Sequence, residues 1–486
     1  MNDIYSLTIK QAIKCLANKD FSARELAQKY LDHIASVNKD INAYLEVYGD
    51  VLSQADVADE KIKNGTTGTL TGIPMSIKDN ILISGRKVTS ASKILEGYIA
   101  PYDATVIKKL KSEGVVFLGR TNMDEFAMGG STENSAFGVT KNPNDLERVA
   151  GGSSGGSSAS VAMAGALASL GSDTGGSVRQ PASFCGMVGL KPTYGGVSRY
   201  GLMAMGSSLD VIGPITKTVT DSEILWNIIK GKDKMDSTTY GEDIYATAES
   251  EQWSHDHQKR KSKEKLVIGV PYHILEKGGL SVEVLENFNK SIQRLKDAGF
   301  EIRDIKLPNI EYSLAVYYIL MPAEVSSNLA RFDGVKYGLH IDGKNLLEDY
   351  LKTRGQGFGK EVRRRILIGT YVLSAGYHDA YYNKALILRQ KIGDDFSNAF
   401  KKVDVIVTPT TPGVAFKIGE KINDPLSLYL EDVFTVPANI VGIPAISIPA
   451  GNIKKGGKSL PLGIQFMAPH ACEDLLFTVG KKFLGE

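Results

Sequence analysis

The sequence predicts an α/β fold, because one grammar of elements recurs along it and its composition suits a packed globular chain. Of its 486 residues, 42% are hydrophobic and 23% charged, ordinary values for a soluble protein. The recurring unit is helix, glycine, strand. Asp103 is placed to cap a helix that runs through Glu113, Gly114 ends it, and Val115-Val-Phe-Leu-Gly119 is rich in strand formers. The same order returns when a helix from Ser281 reaches Ala298, Gly299 stops it, and Phe300 to Lys306 alternates as a strand. The glycine supplies the left-handed cap that lets the chain turn back into a sheet. The first 65 residues read as helices, with Ser22 and Glu25 forming a capping box before an apolar-periodic stretch to Val37. They are expected to pack as an N-terminal helical segment (1–65) on one large domain (66–486).

Several function classes are excluded early. The formal net charge is +2, from 57 basic and 55 acidic residues, which gives no electrostatic case for nucleic-acid binding by this chain alone. Three cysteines (Cys15, Cys185, Cys472) are too few and too scattered for a disulfide framework or a zinc site. They suit a reducing, cytoplasmic compartment. Met1 to Lys10 shows no signal-peptide pattern. The longest apolar run, Ser157 to Leu170, falls short of a membrane span. Residues 231–265 are polar and charge-dense, and read as a solvated loop. Residues 451–460 read as a turn between strands, since Asn452 stands where a phosphate loop needs glycine.

Chemistry concentrates in two glycine- and serine-rich stretches, Val149 to Ser158 and Leu170 to Arg179. Such loops let backbone amides approach a ligand closely. A flexible linker is the bland alternative, but apolar elements bound the second stretch and Thr and Asp interrupt it. None of the seven histidines sits in a glycine-framed or strand-end motif. Gly151-Gly-Ser-Ser-Gly155 matches a nucleophile elbow without a β-branched strand before it, and Asp173-Thr-Gly175 is half of an aspartic dyad without a second copy. A lysine base remains. Lys78 ends the short apolar strand within Gly72-Ile-Pro-Met-Ser-Ile-Lys-Asp79, where desolvation would lower its pKa.

Taken together, Gly72 to Asp79, Gly151-Gly-Ser-Ser-Gly-Gly-Ser157 and Gly171-Ser-Asp-Thr-Gly-Gly-Ser-Val-Arg179 resemble the three marks of the amidase signature family, with Ser153 and Ser177 standing 24 residues apart as that family's pattern requires. The resemblance spans essentially the whole chain. It implies the amidase-signature fold, a central mixed β-sheet covered by helices on both faces, with the catalytic loops at one edge. It further implies Ser177 as nucleophile, Ser153 as relay serine after a cis peptide bond, and Lys78 as base. The backbone amides of Thr174, Gly175, Gly176 and Ser177 would then form the oxyanion hole, where side chains would block the intermediate.

Longer strings resemble one branch of that family, the glutamine-hydrolysing subunits of tRNA-dependent amidotransferases. They are Met128 to Gly138, Ser326 to Gly334, Gly357 to Ile366 and Gly369 to Tyr382. That branch implies glutamine as substrate, with Tyr317, Arg365 and Asp432 binding it. It implies two partner subunits, B and C, in a heterotrimer, and mischarged Glu-tRNA(Gln) or Asp-tRNA(Asn) reached through a partner. ATP and Mg are then expected at the partner, and no cofactor or metal in this chain. An Arg suits an α-carboxylate and an Asp an α-ammonium. Ala150 stands where the family usually has Pro, and His378 where it usually has Tyr. A stand-alone amidase acting on a small amide is the alternative. A non-catalytic scaffold is a third reading, which the presence of Lys78, Ser153 and Ser177 opposes.

Overall fold

The computed structural model describes residues 4–241, 265–277 and 279–486. Its strands are β1 (Tyr44–Val47), β2 (Pro74–Lys78), β3 (Val116–Thr121), β4 (Lys141–Asn142), β5 (Asp145–Val149), β6 (Ala168–Asp173), β7 (Val188–Lys191), β8 (Val211–Thr216), β9 (Val267–Val270), β10 (Glu301–Asp304), β11 (Val405–Pro409), β12 (Ala445–Lys455) and β13 (Lys458–Met467). Eleven of them form one sheet in the order β1-β3-β2-β6-β8-β7-β12-β13-β11-β9-β10, and β4 pairs with β5 as a separate ribbon. The sheet is mixed. β3-β2-β6 and β11-β9-β10 run parallel, while the strands between them pair antiparallel.

Side chains alternate across a strand, and β11 shows what covers each face. Val405 and Val407 join a core with the helices Ala23–Ile41, Val282–Asp297 and Glu473–Leu484. Ile406 between them joins a second core with the helices Ser313–Asn328 and Lys384–Phe400. The sheet is therefore sandwiched by helices, as the α/β reading requires. Among the described residues no helix is long and apolar enough to cross a membrane.

Local expectations fare unevenly. Ser22 and Glu25 form the capping box of Ala23–Ile41, and Ser281 caps Val282–Asp297. Asp103 caps nothing: the helix starts at Thr105 behind Ala104, and the Asp103 carboxylate takes Lys111 and the amide of Ser84. The N-terminal 65 residues are not all helical, because Tyr44–Val47 is captured as β1 by the free edge of β3. Most of 451–460 is strand. The turn is only Gly456-Gly457, both left-handed at φ 58° and 77°, the pairing a two-residue hairpin needs. Of the 231–265 segment, 242–264 lies outside the described residues. Its start is tethered, since Asp233 accepts from Ser198 Oγ at 2.6 Å.

The fold positions the site in two ways. β2 and β6 are parallel neighbours with Ile77 level with Leu170, so their carboxyl ends, Lys78 and Asp173, emerge side by side. Ligands gather at such ends in parallel sheets. The catalytic loops thus sit within the sheet and not at a lateral edge. The helix Lys360–Val372 lies against Ser313–Asn328 at Gly369, where a Cβ would collide with the Pro322 carbonyl. These two helices carry Arg365 and Tyr317. Gly369→Val should therefore cost about 1–3 kcal/mol through overpacking, lowering the denaturation midpoint and weakening whatever ligand the two side chains hold. An unchanged midpoint would show that the helices part freely.

Candidate active site

Lys78 is fully buried, yet it makes no ion pair among the described residues. Its Nζ lies 2.8 Å from Ser153 Oγ, 2.8 Å from Ser154 Oγ, 2.9 Å from Ser172 Oγ and 3.3 Å from the Ser172 carbonyl. Burial drives its pKa down, against the more distant pull of Asp124, Asp173 and Asp210, to about 7. An amine in such a place exists in useful amounts without its proton at neutral pH. The sequence placed Lys78 at a strand end; the three hydroxyls around it come from the glycine-rich loop and the neighbouring strand.

Ser153 follows a cis peptide bond from Gly152. Its loop is pinned to the second glycine-rich stretch, because the amide of Ser154 donates to the Ser177 carbonyl at 3.1 Å. Ser177 is 8% exposed, and its hydroxyl has no hydrogen-bond partner among the described residues. Before it, the amides of Thr174, Gly175 and Ser177 are likewise unpaired there. The Gly176 amide differs from the expectation: it donates to Asp173 Oδ1 at 2.9 Å, since that carboxylate sits under the turn and gathers its amides. Gly175 is required by space, because a Cβ on it would lie 2.8 Å from the Tyr317 hydroxyl.

Asp173 and Arg179 lock this turn. Both are fully buried; the guanidinium meets the carboxylate twice, at 2.9 and 3.0 Å, and continues to Asn439 Oδ1, Gln465 Oε1 and the Thr435 carbonyl. Burial alone would raise the Asp173 pKa, but Arg179 overrides it and holds it at about 2. The loop before Ser177 is thus tied to β13 and to the helix Val436–Val441. Sequence reasoning missed Asn439; no spacing signals a contact across 260 residues.

Tyr317, Arg365 and Asp432 form a wall near this turn, joined by residues the sequence did not single out. Tyr317 packs on Gly175, while Tyr318 reaches Asp432 Oδ2 at 3.4 Å and stacks on Tyr429 at 3.9 Å. Arg365 is buried with Nε 2.7 Å from Glu361 Oε1, and both Tyr318 and Tyr429 lie 5.5 Å from its guanidinium. The spacing of Glu361 and Arg365, four apart on a helix, was the available signal. Burial raises the Asp432 carboxyl to about 8 despite Arg365. A cavity of 620 Å³ adjoins, lined by Ser131, Glu125, Glu361 and Tyr429 among others. Among the described residues no cluster of ligating side chains could hold a metal ion.

A deeply buried lysine, a cis serine and a free serine on a glycine turn are an amide-cleaving constellation. The amidase family model matches residues 25–477. The chain belongs to the amidase family. Among its relatives, the glutamyl-tRNA(Gln) amidotransferase A-subunit of Thermoanaerobacter pseudethanolicus is 52% identical over 99% of this chain and 96% of that protein. That of Ruminiclostridium cellulolyticum is 51% identical over 100% and 98%. The crystal structure of the glutamyl-tRNA(Gln) amidotransferase A-subunit from Thermotoga maritima superposes with a TM-score of 0.77 at 43% identity, covering 99% of this chain and 94% of that one. A peptide amidase from Stenotrophomonas maltophilia has a TM-score of 0.79 at 26% identity, covering 99% and 96%. Where the amidase family usually has Pro, Ala150 donates its N–H to the Thr140 carbonyl at 3.3 Å, a bond proline cannot make.

Breaking the Asp173–Arg179 pair strands a buried charge. Arg179→Leu should cost about 3–5 kcal/mol, read as a loss of denaturation midpoint. A near-native midpoint would show that the network does not carry the loop.

Proposed function

We propose that this chain is the glutamine-hydrolysing A-subunit of a Glu-tRNA(Gln)/Asp-tRNA(Asn) amidotransferase, with Ser177 as nucleophile, Ser153 as relay and Lys78 as base. The observation that carries the chemistry is the buried Lys78 amine, at a pKa of about 7 and 2.8 Å from Ser153 Oγ. Half the sequence is shared end to end with proteins that bear that name, which supports the amidotransferase assignment.

The steps follow from the residues. Neutral Lys78 takes the Ser153 proton as Ser153 takes that of Ser177, and Ser177 Oγ bonds to the glutamine carboxamide carbon. The carbonyl oxygen gains the negative charge, and the free amides of Thr174, Gly175 and Ser177 are the donors available for it. The C–N bond breaks as Lys78 returns its proton through Ser153 to the leaving nitrogen, releasing ammonia. Water then hydrolyses the acyl-enzyme by the same relay, giving glutamate. Arg365 would take the α-carboxylate of glutamine and Asp432 its α-ammonium, with Tyr317 against the reacting end. The ammonia passes to the B and C partners in a heterotrimer, where ATP and Mg serve amidation of the mischarged tRNA. A cytoplasmic location fits that role.

Ser177→Ala should lower glutaminase activity by about a thousandfold or more, and a variant keeping a tenth of it would remove Ser177 as nucleophile. Lys78→Arg should be equally dead, since a guanidinium keeps its proton. The amine is the active form, so wild-type kcat should fall as pH drops below about 7, approaching tenfold per unit; a flat profile there would place the base elsewhere. A chain of net charge +2 lacks the basic footprint that tRNA binding needs. Filter binding at about 150 mM salt should show negligible affinity of the isolated chain for tRNA(Gln), and specific binding only with its partners.

A further inference from the structure

A neutral lysine amine has two N–H donors and one lone pair, and Lys78 has four oxygens around it. On the reading that Lys78 is the base, its lone pair must face the Ser153 hydroxyl, so both N–H groups need acceptors elsewhere. Ser154 is already set as one. Its own hydroxyl proton goes to the Ser172 carbonyl at 3.1 Å, leaving its oxygen open toward Lys78. Ser172 is the undecided neighbour. If its hydroxyl proton points at Lys78, it occupies the lone pair that Ser153 needs; if it points away, Ser172 becomes the second acceptor.

The group that can take that proton is Asn80. Its side chain is buried and its carboxamide lies 3.0 Å from Ser172 Oγ, placed with the NH2 end donating, while its Oδ1 has no partner at all. Turning the carboxamide over breaks no other hydrogen bond of the side chain and presents Oδ1 to the Ser172 hydroxyl; an amide's two ends are interchangeable in shape. We propose that Asn80 is a positioning residue, which accepts the Ser172 proton and so reserves the Lys78 lone pair for Ser153. Asn80 does this through Ser172 and touches no reacting atom. The other charged groups facing Lys78 are Asp124, Asp173 and Asp210. Asp79, next to Asn80, is spent on Arg120 at 2.9 Å, on the Ala91 amide at 3.0 Å and on the Thr89 hydroxyl.

The test is glutaminase activity against pH for the full-length chain purified with its partners. Asn80→Leu keeps the shape and removes both polar ends, so kcat should fall about tenfold with KM unchanged. Adding Ser172→Ala removes the competing proton, while the Ser172 carbonyl at 3.3 Å still accepts from Lys78; the double variant should recover most of the loss. Asn80→Asp should move the acid limb up by about one pH unit, because a carboxylate there favours the ammonium. Losses that simply multiply in the double variant, or wild-type kcat in Asn80→Leu, overturn the assignment. Activity surviving in Lys78→Arg would sink the base and Asn80 together. A dead Lys78→Arg beside wild-type profiles for the Asn80 variants sinks Asn80 alone.

Discussion

The site depends on a lysine buried without a counter-ion in contact. Taking an ammonium out of water is expensive, and proteins usually answer with a carboxylate, which would return the pKa to its ordinary range. Here the three carboxylates that feel Lys78 are occupied elsewhere. Asp124 accepts from the amides of Ser131, Thr132 and Asn134, Asp210 from Thr174 Oγ1 and two amides, and Asp173 from Arg179. Only hydroxyls and one carbonyl are left to touch the amine. Those are groups that solvate either protonation state, which is the condition for a base that must lose and regain a proton.

That condition dictates much of the surrounding architecture. Hydroxyls are weak anchors, so their backbones must be fixed by other means. The Ser153 loop is fixed by its pairing with the Ser177 carbonyl, and the Ser177 turn by the Asp173–Arg179 clamp. The clamp in turn draws Thr435, Asn439 and Gln465 from the far end of the chain. The mixed sheet serves the same purpose. Setting β2 and β6 side by side and parallel brings Lys78 and Ser172 out together, and the antiparallel strands beyond them carry β13 back to meet Arg179.

The sequence disclosed what depends on local pattern. The capping boxes at Ser22 and Ser281, the strand ending at Lys78, and the two glycine-rich stretches follow from residues within a few positions of one another. It hid what depends on distant partners. β1 is a strand only because β3 offers it an edge, and Asp103 fails as a cap because Lys111 and Ser84 bind its carboxylate. The Gly176 amide looks like an oxyanion donor in a motif and proves to be a ligand of Asp173 in space. Tyr317, Arg365 and Asp432 were legible one by one; Tyr318, Tyr429 and Glu361, which hold them together, were not.

The wall around Arg365 carries a logic of its own for the choice of amide. The Arg365 guanidinium is balanced by Glu361, whose carboxylate burial would raise but which Arg365 keeps low. Asp432, raised to about 8, is largely protonated at neutral pH, so the empty wall is close to neutral. An amino-acid carboxamide brings an ammonium and a carboxylate at fixed separation: the first draws the proton off Asp432, the second completes the free edge of Arg365. A simple amide brings neither. It leaves the guanidinium short of an acceptor in a dry site and Asp432 in its neutral form, and discrimination by unpaired buried groups is far steeper than discrimination by a missing methylene. The selectivity of the site thus rests on the same device as its chemistry, a buried charge whose partner is withheld until it is needed.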